Sequence, residues 1–246
     1  MPVIYSSSSG TKDDGYIYKT NQSSWANARD ATSGTAQDSG TGHANFTNVN
    51  RGPSRSGGIV YGIYRSFMVF DTSGITGTVA SAELSIRGGW SNDGSVIAVK
   101  SNAYGGDGGT SLASGDFDAI AGWSAGSSLA GSATVYGAQI TTTNWETGDW
   151  NNFTATSDLL TDIKNQNVVI VCFMDYTNDY LNSALTSNVS LNCGGWYAEK
   201  VSPDYRPHID YTLATGYGNS VNGVASANIG KINGIETASI EKVNGI

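Results

Sequence analysis

Hydrophobic and polar residues alternate along short segments of this chain, and two neighbouring segments show the alternation most clearly. In the first, Phe67 and Val69 fall on one side of a two-residue repeat, while Met68 and Phe70 fall on the other. Large apolar groups on both sides predict a strand inside a sheet that is covered on both faces. In the second, residues 82–86 alternate between apolar and polar, which predicts a strand with one buried and one exposed face.

Similar short segments continue to residue 214, and together they predict an all-β domain with one short helix. The helix is predicted to begin near Ser157 or Asp158, either of which is a good N-cap, and to end around residues 165–167. The segment 21–58 is mostly Ser, Thr, Asn, Gly and Asp, which predicts a functional loop or a loop that holds a short hairpin. The other strands are predicted at residues 95–100, 135–142, 168–174 and 208–213.

Three of these segments resemble the DNRLRE-type, carbohydrate-binding-module-like jelly rolls. In that family a strand ending in Phe-Asp, as at Phe70-Asp71, leads through a loop to a strand built on Ser-Ala-x-Leu, as at Ser81–Leu84. The closing strand begins near a proline, as at Pro207. The resemblance covers roughly residues 10–214. It implies a jelly-roll-like β-sandwich whose role is ligand binding or display on a surface. It implies no catalytic site.

Composition narrows the classes of partner. A chain of 246 residues with 39% hydrophobic content can hold one large sandwich. The net charge of −8, with only 13 basic residues, argues against nucleic acid as a partner. No apolar run approaches the roughly 20 residues of a membrane helix, so no membrane contact is predicted. The N-terminus lacks a basic and an apolar region, so no signal peptide is expected.

Two cysteines are too few for a disulfide framework. Cys172 lies in the apolar run Val168–Met174, which favours a buried thiol, and a bridge to Cys193 stays open.

The last residues form a repeat, so the chain is divided into a domain at 1–214 and a tail at 215–246. An Asn-Gly pair beside a β-branched residue recurs every eleven residues. Asn-Gly favours tight turns and disfavours helix, so short strands and turns are predicted over a right-handed coiled coil or a flexible tail. Such units need a neighbour on which to stack. The repeat consists of Val221, Asn222, Gly223, Ile232, Asn233, Gly234, Val243, Asn244 and Gly245.

This tail resembles those of bacteriophage virion proteins. The resemblance implies that the tail joins the chain to copies of itself, to another virion protein, or to both.

The sequence offers little for catalysis or metal binding. Its two histidines, His43 and His208, are far apart, and no Cys-x-x-Cys or Gly-x-Ser-x-Gly motif is present. Oxygen donors near glycine, such as Asp107 and Asp116, are the type that calcium uses, but solvated turn residues are the favoured interpretation. Since glutamates are also scarce, neither an enzyme nor a cofactor is predicted.

Glycan binding is the chemistry that the sequence favours most. Aromatic rings stack on the apolar faces of sugars, and Asn, Asp and Gln bind the hydroxyl groups. Several tryptophans lie next to Gly, Asn or Ser, as exposed loop aromatics do, although any one of them could instead cap the sandwich core. The candidates for binding are Trp90, Trp123, Trp145, Asp149, Trp150 and Trp196.

Taken together, the patterns predict a non-enzymatic structural protein of a bacteriophage virion, acting as a capsid decoration, a head fibre or a tail-associated protein. On the virion surface its sandwich would hold host-surface glycans weakly, and many copies would make the adhesion strong. One alternative is an extracellular carbohydrate-binding module of a secreted polysaccharide-active protein. Another is the subunit of a self-assembling extracellular filament, in which one chain donates a strand to the next.

Overall fold

The protein is described by a computed structural model over residues 2–7, 14–37, 43–197, 205–214, 230–232 and 235–236. Its strands are β1 (Val3–Tyr5), β2 (Gly15–Gln22), β3 (Thr35–Gln37), β4 (His43–Pro53), β5 (Ile59–Asp71), β6 (Val79–Asn92), β7 (Ser95–Lys100), β8 (Val135–Thr141), β9 (Trp150–Thr154), β10 (Val168–Met174), β11 (Val189–Trp196), β12 (His208–Leu213), β13 (Lys231–Ile232) and β14 (Ile235–Glu236). The helices are α1 (Trp25–Arg29) and α2 (Ser157–Asn165). Short 3₁₀ turns and one π-helical turn, Tyr176–Tyr180, lie in the loops.

The described strands form the predicted all-β, jelly-roll-like sandwich. Twelve antiparallel strands make one sheet with the order β1-β12-β6-β11-β4-β5-β10-β7-β8, while β2 and β3 extend from β5, and β9 pairs with β6. The sheet folds over on itself within β6. The first part of β6 pairs with β12 and β9, and together with β1 these strands form a front sheet. The last residues of β6 pair with β11. The back sheet consists of β2, β3, β4, β5, β7, β8, β10 and β11, and β13 and β14 form a separate two-stranded sheet.

Strand β5 has a hydrophobic core on each side, as its sequence predicts. Met68 and Phe70 face the front sheet and pack with Leu84 and Ile86 of β6. Phe67 and Val69 lie on the opposite face of β5 and pack against a layer of loops on the far side of the back sheet. Each large apolar side chain buried in this way contributes about 1.5–3 kcal/mol relative to an exposed one. The loop layer is built on Ala103, Tyr104, Leu112, Phe117, Ile120 and Leu129.

Helix α2 is where the sequence predicts it, with one difference at its start. The N-cap is Thr156, whose Oγ1 accepts a hydrogen bond from the backbone N–H of Leu159 at 3.4 Å. The prediction had placed the cap at Ser157 or Asp158. Leu159 and Ile163 are buried in the core between the two sheets, so the helix closes one side of the sandwich.

The polar segment 21–58 contains more regular structure than its sequence predicts. It holds α1 and β3, and β4 pairs with β5 in a hairpin from Asn48 opposite Tyr64 to Pro53 opposite Ile59. The segment therefore supplies one strand of a hairpin, and the partner strand β5 begins just beyond it at Ile59. The expectation of a single helix was incomplete, because α1 has only five residues and is too short to show an amphipathic period.

Both cysteines are buried and free, so the bridge that the sequence left open is not formed. Cys172 lies in the core beneath the loop layer, and Cys193 lies in the core between the sheets. Burial raises the pKa of Cys193 to about 12 and also raises the pKa of Cys172.

Four described residues of the tail form a minimal hairpin. Strands β13 and β14 pair antiparallel, with Lys231 opposite Glu236 and Ile232 opposite Ile235. This agrees with the prediction of short strands. The remaining predicted tail residues lie outside the described part, so the domain boundary at residue 214 stays a prediction. These residues are Val221, Asn222, Gly223, Asn233, Gly234, Val243, Asn244 and Gly245.

Candidate functional site

The outer face of the front sheet carries a group of partly exposed aromatic side chains. Leu84 and Ile86 point into the core, so alternation turns Arg87 outward. Trp150 on β9 lies opposite Arg87 in the register. On β12, Ile209 points inward and His208 therefore points outward. The strand pairing thus brings side chains from distant parts of the sequence onto one surface.

Neighbouring rings on this surface form a continuous path. The ring of His208 lies between Tyr5, at 5.9 Å, and Trp150, at 4.5 Å between centroids. The guanidinium carbon of Arg87 lies 5.8 Å from the centroid of Trp150 and 4.9 Å from that of Tyr205. The path ends with Trp196, whose ring centroid is 5.8 Å from that of Tyr205. We call this set, Tyr5, Arg87, Trp150, Trp196, Tyr205 and His208, the aromatic face.

Exposure distinguishes this surface from the core. Tyr5 is 46% exposed and Tyr205 is 39% exposed, which places them among the most exposed large apolar residues of the described chain. Val3, beside Tyr5 on β1, is 39% exposed. Concentrations of exposed apolar groups rimmed by polar ones mark binding surfaces in soluble proteins. The aromatic face has this character.

Charged groups at its rim are loosely paired. Arg87 Nη1 lies 3.5 Å from the Asp149 carboxylate, and the Asp149 side chain is 73% exposed. His208 Nε2 lies 3.2 Å from the carboxylate of Asp210, and its Nδ1 lies 2.9 Å from the carbonyl oxygen of Arg206. The Arg87–Asp149 pair is long and its carboxylate is exposed, and such pairs contribute about 0–1 kcal/mol, so Arg87 and Asp149 can exchange partners at little cost. A polar ligand could therefore use the same donors and acceptors.

Two glycines on β11 place Trp90 at the edge of this surface. A Cβ on Gly195 would point at Phe46 and Ile86 in the core, whereas one on Gly194 would lie 2.3 Å from the ring of Trp90. Trp90 therefore covers the outer side of β11, and alternation places Trp196 on that side too. Glycine at position 194 allows the indole to lie flat on the backbone.

The structure thus groups four of the six predicted binding residues, namely Trp90, Asp149, Trp150 and Trp196. Trp145 is not among them, because it is only 5% exposed and packs in the core with Phe46. For Trp145 the expectation of a surface role is wrong. Its sequence surroundings are polar because it precedes an exposed turn.

Trp123 lies in a different environment, at the loop layer. Its ring stacks on the guanidinium groups of Arg29 and Arg65, each 4.4 Å from its centroid. Both arginines are fully buried. Trp123 therefore covers a buried charged cluster and lies apart from the aromatic face.

Sequence reasoning missed Tyr5, Arg87, Tyr205 and His208. The alternation of His208 with Ile209 does place the imidazole on the polar side of its strand. What the sequence lacks is the pairing of β12 with β1 and β6, which brings this side chain beside Tyr5 and near Trp150. That pairing joins Tyr5 and His208, which lie near opposite ends of the predicted domain in sequence.

The carboxylates that the sequence offers as calcium donors take part in turns. Across the described residues, no group of three or more His, Cys, Asp or Glu side chains is placed to hold a metal ion. Asp107 accepts a hydrogen bond from the N–H of Gly109, and Asp116 accepts from the N–H groups of Ala113 and Tyr104. Both carboxylates thus have the turn-forming role that the sequence favours. Among the same residues, no helix is long and apolar enough to cross a membrane.

No known protein family matches this chain, and no curated protein matches it. The resemblance to DNRLRE-type jelly rolls therefore rests on the motif residues alone and stays a prediction.

Proposed function

We propose that this chain is a non-enzymatic structural protein of a bacteriophage virion that displays a glycan-binding β-sandwich. The observation that carries the binding role is the continuous path of rings across the outer face of the front sheet. Pyranose rings stack on such side chains, and the rim groups Arg87, Asp149 and Asp210 can bind hydroxyl groups. The rings of the aromatic face are partly exposed on the outside of a sheet, and we expect each site to hold its ligand weakly.

Weak sites become effective when many copies act together. Linking binding modules can raise overall avidity by about 10²–10⁴-fold without any new contact. A virion presents many copies of its surface proteins. The tail supplies the attachment in this proposal, either to copies of the chain or to another virion protein. This attachment role is supported by the repeat and by the resemblance of the tail to those of bacteriophage virion proteins. It is also supported by the hairpin of β13 and β14, whose Ile235 is 56% exposed.

The second candidate is a carbohydrate-binding module of a secreted polysaccharide-active protein. The aromatic face supports it equally well, but it gives the tail repeat no purpose. The two proposals differ in what residues 216–246 do. Light scattering on the full chain and on a chain ending at residue 215 separates them. A trimer or larger assembly that becomes a monomer on truncation favours the virion protein or the filament subunit, and two monomers favour the module.

A glycan array with the full chain tests the binding role, using Trp150→Ala and Trp196→Ala as variants. The control is Trp25→Ala, since Trp25 is also half-buried but lies elsewhere, edge-on to Tyr61 and hydrogen-bonded to Asn182. An aromatic contact contributes about 0.5–1.5 kcal/mol, so each site variant should weaken binding by up to about tenfold. Equal binding by all three variants would remove the aromatic face as the site.

A further inference from the structure

A second surface lies on the back sheet, where a line of side chains crosses four strands in register. Tyr18 on β2 is opposite Tyr64 on β5, which is opposite Asn48 on β4, and Asn48 is opposite Asn192 on β11. The Oδ1 of Asn192 accepts a hydrogen bond from Trp90 Nε1 at 3.0 Å. Paired residues share one face of a sheet, so these five side chains form a single line, which we call the amide row.

The two ends of the amide row are aromatic and its centre is made of amides. The rings of Tyr18 and Tyr64 are stacked, with centroids 5.1 Å apart and planes 16° from parallel. Trp90 at the other end lies flat over Gly194. Tyrosine and tryptophan offer planar apolar surfaces for stacking, and asparagine offers two donors and one acceptor group.

A neighbouring residue fixes the orientation of the central amide. Asn50 Nδ2 donates to Asn48 Oδ1 at 3.2 Å. The amide of Asn50 is held close over Gly62, where a Cβ would lie 2.9 Å from it and 3.1 Å from the methyl group of Thr20. A larger residue than glycine would displace these side chains. The amides are therefore preorganised, which lowers the entropic cost of binding a ligand.

Size and charge limit what the amide row can hold. Asn48, at 7% exposed, forms its floor, and the other four side chains are partly exposed. Strands lie about 4.8 Å apart, so the three steps from β2 to β11 span about 14 Å. None of the five side chains carries a formal charge. An extended, uncharged ligand rich in hydroxyl groups fits this length and chemistry better than an ionic one or a folded protein.

We infer that the amide row is a second binding site, for a neutral oligosaccharide that lies across the strands. Sugar rings at the two ends stack on Tyr64 and Trp90, and hydroxyl groups between them bind the amides of Asn48 and Asn192. The amide row contains none of the six residues that define the aromatic face, and it meets the edge of that face at Trp90. The inference extends the proposed function, since both assign saccharide binding to this chain, and the experiment below lets each fail alone.

The test is a titration of the full-length, ¹⁵N-labelled chain with neutral hexasaccharides of β-1,4-linked glucose, xylose and mannose. The side-chain amide signals of Asn48 and Asn192 and the indole signals of Trp90 and Trp150 are followed by NMR. We expect at least one hexasaccharide to shift the two amide signals and the Trp90 signal. The variant Trp150→Ala should leave these shifts in place with an unchanged midpoint. The variants Tyr64→Ala and Asn192→Ala should raise the midpoint about tenfold or more.

Each alternative outcome decides the question, and the unmodified chain carries the main readout in case a variant fails to fold. If a hexasaccharide shifts Trp150 but neither amide, the aromatic face binds glycans and the amide row does not. If the amides shift only in parallel with Trp150 and cease to shift in Trp150→Ala, the amide row is no separate site. If no hexasaccharide shifts any of these signals, the inference is overturned. The glycan array then tests separately whether the aromatic face binds glycans.

Discussion

Two arginines of this protein stack on aromatic rings, and their surroundings differ in almost every other respect. Arg65, under the loop layer, is fully buried between Phe117, at 4.1 Å, and Trp123, at 4.4 Å. Its Nε and Nη2 donate to the two carboxylate oxygens of Asp179, each at 2.7 Å. Arg87, on the aromatic face, also lies between two rings. Its side chain is 23% exposed, and its carboxylate partner lies 3.5 Å away.

The difference shows that the same pair of residue types occurs both in a buried, fully paired cluster and at a partly exposed surface, and only the second is part of the binding site that we propose. Arg65 also donates to the carbonyl oxygens of Phe117 and Arg29, so its cluster ties α1, β5 and two loops together. Removing one partner from such a cluster leaves an uncompensated buried charge. Arg87 makes one long ion pair with Asp149 and stacks on two rings of the surface. Three substitutions test this contrast, and thiol reagents test the packing of the two cores.

The largest effect is expected for Asp179→Ala, because it leaves both Arg29 and Arg65 without their shared carboxylate. Breaking a buried pair in this way costs about 3–5 kcal/mol, so the free energy of unfolding in urea should fall by that amount. The matched control is Asp149→Ala, which removes the same charge from an exposed site. A loss of similar size in both variants would contradict the contrast.

A smaller loss of stability is expected for Trp123→Ala. The ring covers two buried guanidinium groups, and a desolvated cation–π contact contributes about 2 kcal/mol. The melting temperature should therefore fall, while glycan binding at the aromatic face stays unchanged. Trp150→Ala should show the reverse pattern. Loss of glycan binding in folded Trp123→Ala would place the site at the loop layer instead.

Arg87→Ala should change stability by less than about 1 kcal/mol, because its ion pair is long and its partner is exposed. Binding at the aromatic face should nevertheless weaken, since the variant removes the only cation stacked between Trp150 and Tyr205 in the described residues. Denaturant unfolding gives the change in the free energy of unfolding, and the glycan array on the same sample gives the change in binding. A large loss of stability would mean that Arg87 belongs with Arg65.

The smallest effect is expected for thiol reagents. Burial raises the pKa of Cys193 to about 12 and that of Cys172 as well, so little thiolate forms near pH 8 and neither sulfur is accessible. A colorimetric thiol assay should detect no reactive group in the folded protein and two after denaturation in urea. Rapid reaction of one thiol without denaturant would show that its core opens.

The parts of the fold that could be predicted are those in which local pattern and burial agree. The alternation through Phe67 and Met68 gave both faces of β5, and the apolar run at 168–174 gave β10 with its observed limits. Strand β4 was harder to predict, because Asn48, in the amide row, and Asn50, beside it, have the composition of a loop. A strand with one polar, functional face lacks the hydrophobic repeat that identifies strands.

The candidate site was predictable only in part, for a related reason. Trp145 and Trp150 stand five residues apart in similar polar surroundings, yet one is buried and the other lies on the aromatic face. Only the position of β9 beside β6 separates them. The cluster of Arg65 and Asp179 was missed because charged residues are usually exposed and these two lie 114 positions apart.

The position of β12 also determines how a mechanical load would pass through the molecule. His208 stands at its first residue, and the tail follows its last, Leu213. A pull between a ligand on the aromatic face and an anchor in the tail therefore runs along one six-residue strand. That strand is paired with β1 on one side and β6 on the other, so the pull shears two rows of hydrogen bonds together. The helices, the loop layer and the amide row lie outside this line of force.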